Sequence, residues 1–164
     1  GFGSADFDLW PTPARFTLVL LMFIGACAGS TGGGMKVSRL ILLIKTVFRE
    51  LFTYIHPKSI KKIQLEGKPV EHEVVRSVNV YFITFACLFV ISLFIISFEG
   101  HDLITSFTAV TATINNIGPG LNLAAGNFSF FSDLSKYVFM FDMLAGRLEF
   151  YPMLVLFAPS MWKK

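Results

Sequence analysis

Gly25-Ala26-Cys27-Ala28-Gly29-Ser30-Thr31-Gly32-Gly33-Gly34 is the stretch on which the fold turns. Apolar sequence enters it from Phe16 to Ile24. Apolar sequence leaves it from Met35 to Phe48, now marked by Lys36, Arg39 and Lys45. One helix over 11–49 would be roughly 58 Å long, almost twice the roughly 30 Å hydrocarbon core of a bilayer. Each of the five glycines costs a helix about 1 kcal/mol relative to alanine. We therefore expect a membrane helix broken by a polar loop. Such backbone is tolerated at membrane depth only where protein buries it or it lines a watery cavity, and a broken helix of this kind marks a transport path.

Composition agrees. Of the 164 residues, 54% are hydrophobic and 15% charged, and mean hydropathy is +0.63. That excludes an ordinary soluble domain and points to an all-α integral membrane protein surrounded by lipid. Cys27 and Cys87 both lie in apolar runs, so free thiols are expected. No basic n-region or initiating Met opens the chain, so no signal peptide is expected, and the chain reads as the C-terminal part of a longer one.

Charge placement orients the spans. Residues 35–76 hold Lys36, Arg39, Lys45, Arg49, Lys58, Lys61, Lys62, Lys68 and Arg76. Residues 1–10 and 99–135 carry Asp6, Asp8, Glu99, Asp102 and Asp133 and no Lys or Arg. The positive-inside rule places 50–76 and the C-terminus in the cytoplasm, and both acidic stretches outside. The basic segment has no interleaved aromatics and adjoins spans, so no nucleic-acid partner is expected.

In order, residues 1–10 read as an outside loop, with Trp10 at an interface and Pro11 or Pro13 starting a helix. Helices over 11–24 and 35–50 flank the glycine loop. A connector follows over 51–76, with turn signals at His56-Pro57 and Gly67-Lys68-Pro69. Ser77–Phe98 is long enough to span and carries no charge. His101–Thr113 is too short to span and reads as re-entrant. It stops at Asn115-Asn116-Ile117-Gly118-Pro119-Gly120. A loop over 121–133 leads to a last span over 134–158 and a tail over 159–164.

Span, re-entrant helix, glycine turn, loop and span make up a potassium-channel-like helix–pore helix–helix unit. The expected division is 1–50 as the end of one unit, 51–76 as connector, and 77–158 as one complete unit. A weak repeat supports it: Phe131-Ser132-Asp133-Leu134 and Phe7-Asp8-Leu9-Trp10 each follow a glycine turn and precede a helix.

A dehydrated cation such as K⁺ needs oxygens in place of water, and backbone carbonyls at a tight turn supply them. Glycine permits the required backbone. Ile114, Asn115, Asn116, Ile117 and Gly118 are the candidate ion ligands, with Gly1 and Phe2 as their counterpart. The alternative is an ordinary surface turn. The glycine loop lacks the Gly-Lys-Ser/Thr ending of a P-loop, and Ala28 stands where a nucleophile elbow around Ser30 needs glycine. Its remaining alternative is a small-residue helix-packing motif. A hydrolase using Ser30 or Thr31 lacks a membrane-embedded base, so no enzyme and no cofactor are expected.

Arg147 falls midway along the last span, where a charge is costly unless paired or hydrated. Glu149, two positions on, points to another face. Arg147 is therefore assigned a partner elsewhere: a cavity, the carbonyls of the glycine loop, or another helix. Asp142 is a candidate cavity-facing group. His101 reads as a solvated helix start.

Cys27-Ala28-Gly29-Ser30-Thr31-Gly32-Gly33-Gly34-Met35-Lys36, Ala112-Thr113-Ile114-Asn115-Asn116-Ile117-Gly118-Pro119-Gly120 and Gly146-Arg147-Leu148-Glu149 strongly resemble bacterial TrkH-type potassium uptake proteins of the Trk/Ktr/HKT superfamily. The resemblance runs the length of the chain. It implies K⁺ uptake across a bacterial inner membrane, four pore units in a full-length chain, and a homodimer. It also implies a cytosolic TrkA-type nucleotide-binding partner, and that this chain is roughly the last third of such a protein. The loop Gly29, Ser30, Thr31, Gly32, Gly33, Gly34 would be the intramembrane gate, and Gly1-Phe2 the end of the third unit's filter. Arg147 would face the gate below the filter. Ala26 departs from the pattern where a second glycine is common. The rival reading is an assembly subunit that conducts nothing.

Overall fold

The structure is a computed structural model and describes residues 5–27, 29–30, 32–59, 62–65 and 67–148. It is mostly helical: α1 (Thr12–Phe23), α2 (Val37–Ile55), the strands β1 (Gln64–Leu65) and β2 (Lys68–Pro69), α3 (His72–Ser97), α4 (Leu103–Ile114) and α5 (Asp133–Leu148). The expectations at Gly1, Phe2, Ala28, Thr31, Lys61, Glu149 and 150–164 lie outside the described residues.

Pro11 precedes α1 and Pro13 occupies its first turn, where a missing N–H is harmless. The helix ends at Phe23, before the glycine loop. α2 then runs to Ile55, five residues beyond the expected end at 50. Leu51, Phe52 and Ile55 continue its apolar spacing, and the first breaker is His56-Pro57. α3 begins at His72, five residues before the expected Ser77, because charged residues such as Glu73 and Arg76 are acceptable in an exposed first turn. The connector is accordingly 56–71. Its Gly67 has φ +78, and β1 and β2 pair antiparallel around it, Leu65 opposite Lys68.

Among the described residues, α3 is the one helix long and apolar enough to cross a bilayer; α1 and α4 are shorter apolar helices. α4 is the hub. Thr105, Ser106 and every residue from Thr108 to Ile114 are buried. Three of its four threonines tolerate such surroundings by bonding back along the helix: Thr108 Oγ1 donates to the Ile104 carbonyl at 2.7 Å, Thr111 to Phe107 at 2.7 Å and Thr113 to Ala109 at 2.9 Å, whereas the Thr105 and Ser106 hydroxyls have no partner among the described residues.

Three clusters pack the chain. Ile96, Ala109, Val110, Ala124, Phe131 and Phe139 join α3, α4 and α5 at one end. Met35, Tyr81, Phe85, Ile114 and Ala145 join the loop's return, α3, α4 and α5. Leu42, Ile63, Val75 and Val78 join α2, connector and α3. Phe23, Phe89 and Phe107 form an aromatic triangle across α1, α3 and α4, with centroids 5.3–6.2 Å apart. The Arg39 guanidinium lies 4.1 Å above the Tyr81 ring, fastening α2 to α3.

At the opposite end from the connector, Asp102 caps α4 by accepting from the Ile104 amide. Ser132 caps α5: its Oγ accepts from the Ser135 amide at 3.3 Å. His101 departs from the solvated helix start expected of it. Its Nε2 lies 3.4 Å from Glu99 Oε2, and its ring meets Phe130 and Phe131 edge-on.

A candidate ion site where a glycine loop meets a helix-ending turn

The glycine loop is a side excursion. The Gly25 amide donates to the Met35 carbonyl at 2.8 Å and the Val37 amide to the Ala26 carbonyl at 3.2 Å. Ile24 and Met35 form a parallel bridge. The chain therefore re-enters beside the point where it left, running in the same direction. Such approach requires bare backbone: a Cβ on Gly25 would lie 2.8 Å from the carbonyl oxygens of Gly33 and Met35. At the exposed tip, the Ser30 amide donates to the Cys27 carbonyl and Ser30 Oγ accepts from the Gly32 amide. That hydroxyl hydrogen-bonds to no His or Lys among the described residues.

The returning limb, Gly32–Gly34, reaches the turn after α4. α4 ends because Asn116 takes the left-handed conformation, φ 56. The Asn116 amide donates to Thr113 at 3.0 Å and the Ile117 amide to Ala112 at 2.8 Å, a Schellman cap with asparagine in the usual glycine place. Gly118 follows with φ 108. Among the described residues, the carbonyls of Asn115, Asn116, Ile117 and Gly118 accept no hydrogen bond.

Two contacts join loop and turn. A Cβ on Gly33 would lie 2.7 Å from Asn116 Cβ, and one on Gly34 2.7 Å from Asn115 Oδ1. Gly34 also has φ +78. Asn115 Nδ2 donates to the Thr111 carbonyl at 2.9 Å, while its buried Oδ1, turned towards Gly34, finds no donor.

α5 closes the third side. Asn116 Nδ2 donates to the Met143 carbonyl at 3.1 Å. Gly146 meets the Ile114 carbonyl so closely that its Cβ would stand 1.8 Å from that oxygen. The structure thus brings together Ile114, Asn115, Asn116, Gly33 and Gly34. It turns the Ile114 carbonyl towards α5, which separates it from the other candidate ligands. Gly29 and Ser30 lie at the exposed tip. Arg147, in the last described turn of α5, is exposed and makes no hydrogen bond to the loop among the described residues.

Asp142 corrects an expectation. It does not face a cavity: it is 0% exposed, and its Oδ1 accepts from Ser92 Oγ at 2.7 Å across α3 and α5. Sequence reasoning also left Gly146 without a role. A glycine inside a helical pattern was the available signal, since it marks close backbone approach.

A mostly helical chain with a broken apolar helix and a short buried helix ending in free carbonyls is built as a membrane transport protein is. The family model of the TrkH cation transport protein matches residues 1–164. The chain is 38% identical to the Trk system potassium uptake protein TrkH of Escherichia coli, over all of this chain and 34% of the relative. It is 40% identical to TrkH of Vibrio parahaemolyticus, over 99% of this chain and 34% of that one. The crystal structure of the potassium transporter TrkH from Vibrio parahaemolyticus superposes with a TM-score of 0.89, covering 99% of this chain and 35% of that chain. The chain belongs to the TrkH family of cation transport proteins. It spans about a third of the length of the curated relatives it matches.

Proposed function

We propose that this chain is a part of a potassium uptake protein, in which α3, α4 and α5 form one helix–pore helix–helix unit and α1, the glycine loop and α2 close the preceding one. The observation that carries the reading is the meeting of the glycine loop with the turn at Asn115–Gly118. The four free carbonyls of that turn can replace the hydration shell of K⁺, and they follow the C-terminal end of α4, where the helix dipole favours a cation. Gly33 and Gly34 lie against the side chains of the same turn, so a loop movement would open or close the path beside it. The relatives are named potassium uptake proteins, which supports potassium as the ion. Arg147 adds an exposed positive charge in the last described turn of α5, a barrier to cations entering from that side.

In this reading residues 50–76 and the C-terminus face the cytoplasm of a bacterial inner membrane, an orientation that the Lys and Arg placement supports. The full-length chain works as a homodimer with a cytosolic TrkA-type nucleotide-binding partner, and needs no cofactor. The test is complementation of a potassium-uptake-deficient bacterium with the full-length gene at matched membrane expression. Growth at low K⁺ is expected. Failure to restore it, with the protein folded in the membrane, would instead favour an assembly subunit that conducts nothing.

A further inference from the structure

On the topology proposed above, α2 outlasts the membrane. α1 and α2 together rise roughly 46 Å, from 12 and 19 residues, against a hydrocarbon core of about 30 Å. The last turns of α2 therefore emerge among headgroups. There the helix and the connector form an open pocket of about 460 Å³ lined by Lys45, Phe48, Arg49, Phe52, Lys62 and their neighbours; among the described residues no acidic residue lines it, and Glu50 beside it pairs with Arg49, so Lys45 and Lys62 supply its excess positive charge.

Its construction is specific. Lys45 and Arg49 are four apart and share one helix face; Phe48 and Phe52 share the adjoining one. Lys45 Nζ donates to the Gln64 carbonyl at 2.7 Å, which fastens the connector to α2 and brings Lys62 over the same pocket. Cations thus stand on one side and phenyl rings on the other. The apolar side continues along α2 as an exposed stripe through Ile44, Val47, Phe48, Leu51 and Ile55. A ligand that satisfies both needs a compact anion joined to a hydrocarbon chain.

We propose that this pocket binds the phosphate headgroup of an anionic membrane phospholipid, with Lys45, Arg49 and Lys62 around the phosphate and the acyl chain along Phe48 and the α2 stripe. Charge complementarity selects the headgroup. The apolar stripe excludes a free soluble anion as the better ligand, because it would leave those side chains in water. The site rests on the topology reading above, which places the connector at the cytoplasmic leaflet, and not on the ion path.

The test uses the purified full-length protein reconstituted in phosphatidylglycerol or phosphatidylcholine nanodiscs, then released and weighed by native mass spectrometry. Wild type is expected to retain phosphatidylglycerol and to release phosphatidylcholine. Lys62→Gln leaves the Lys45–Gln64 bond in place, so it keeps the connector folded; it should lower retention roughly fivefold, and Lys45→Gln with Lys62→Gln roughly 30-fold. Equal retention in all three proteins overturns the site. Displacement of the lipid by inorganic phosphate makes the ligand a free anion and overturns the lipid assignment. A change in dimer mass with lipid retention unaltered would assign the face to a second copy of the chain and likewise overturn it. Potassium flux is not the readout: a protein that retains the lipid and conducts no ion refutes the proposed transport and leaves this site standing.

Discussion

Gly146 and the carbonyl of Ile114 touch across α5 and the end of α4, with an added Cβ destined to stand 1.8 Å from the oxygen. The contact is a Cα–H to carbonyl approach that no other residue type permits. Alanine inside a helix ordinarily gains about 1 kcal/mol over glycine. Here the sign reverses. Gly146→Ala is expected to lose about 2 kcal/mol through overpacking and to displace the turn that follows Ile114. Thermal unfolding in detergent checks the first effect and K⁺ uptake the second. A stabilised variant with full uptake would remove Gly146 from the site.

The glycine loop yields a paired comparison. Gly29 and Gly34 both hold left-handed backbone, φ +83 and +78. Among the described residues nothing lies within 4 Å of a Cβ on Gly29, whereas one on Gly34 meets Asn115 Oδ1 at 2.7 Å. Alanine at either costs about 1 kcal/mol of backbone strain. Only Gly34→Ala also presses on the turn, so only it should change the K⁺ flux of the open protein. Equal flux changes in the two variants would make strain the whole effect.

Gly118 has φ 108, a conformation that side chains resist. Gly118→Ser is expected to disturb the row of free carbonyls and admit Na⁺. Competition of Na⁺ with K⁺ in whole-cell uptake measures it. An unaltered ion preference would contradict the filter assignment.

Shortening the loop within Gly29–Gly33 should raise K⁺ flux by widening the path, and Arg147→Ala should raise it by removing a positive charge. No hydrogen bond joins Arg147 to the loop among the described residues, so the two effects on ln flux should add. Uptake is compared at equal membrane expression. A fall in flux in both single variants, with normal folding, would leave the loop as a packing element.

Glu99 sets a pH dependence at the end of the molecule away from the connector. Partial desolvation alone would raise its proton affinity. The hydroxyls of Ser132 and Ser135, the Ser132 amide and the charge of His101 outweigh it and hold the carboxyl below its ordinary 4.5. The depressed group binds a proton less readily folded than unfolded. Its stabilisation is therefore complete above about pH 4.5 and is lost as pH falls through the lower folded value. Melting temperature should be flat at neutral pH and drop in that acid range. Glu99→Gln should melt lower at neutral pH and lose most of the acid drop. A wild-type profile in the variant would show that the carboxylate does not support the Ser132 cap.

Much of the architecture was legible because it follows from local chemistry. The break between α1 and α2 is written in five glycines, and the end of α4 in Asn115-Asn116-Ile117-Gly118-Pro119-Gly120. α2 runs five residues beyond 50 and α3 starts five residues before Ser77, since nothing local distinguishes the last turn of an amphipathic helix from the first residues of a polar connector. His101 was misread for a related reason: its partners, Phe130 and Phe131, arrive from a loop thirty residues away, and a ring contact leaves no trace in spacing.

The sequence by itself determined a helical membrane chain, a broken helix and a short helix ending in a glycine turn, because glycine cost, span length and hydropathy are properties of each segment alone. Only the tertiary structure decided which glycines face what. Gly33 and Gly34 meet Asn116 and Asn115, Gly146 meets Ile114, and Asp142 turns inward to Ser92 instead of towards a cavity. Those pairings depend on how α5 and the loop's return are rotated and offset against α4, and that is set by the packing of side chains distant in the chain.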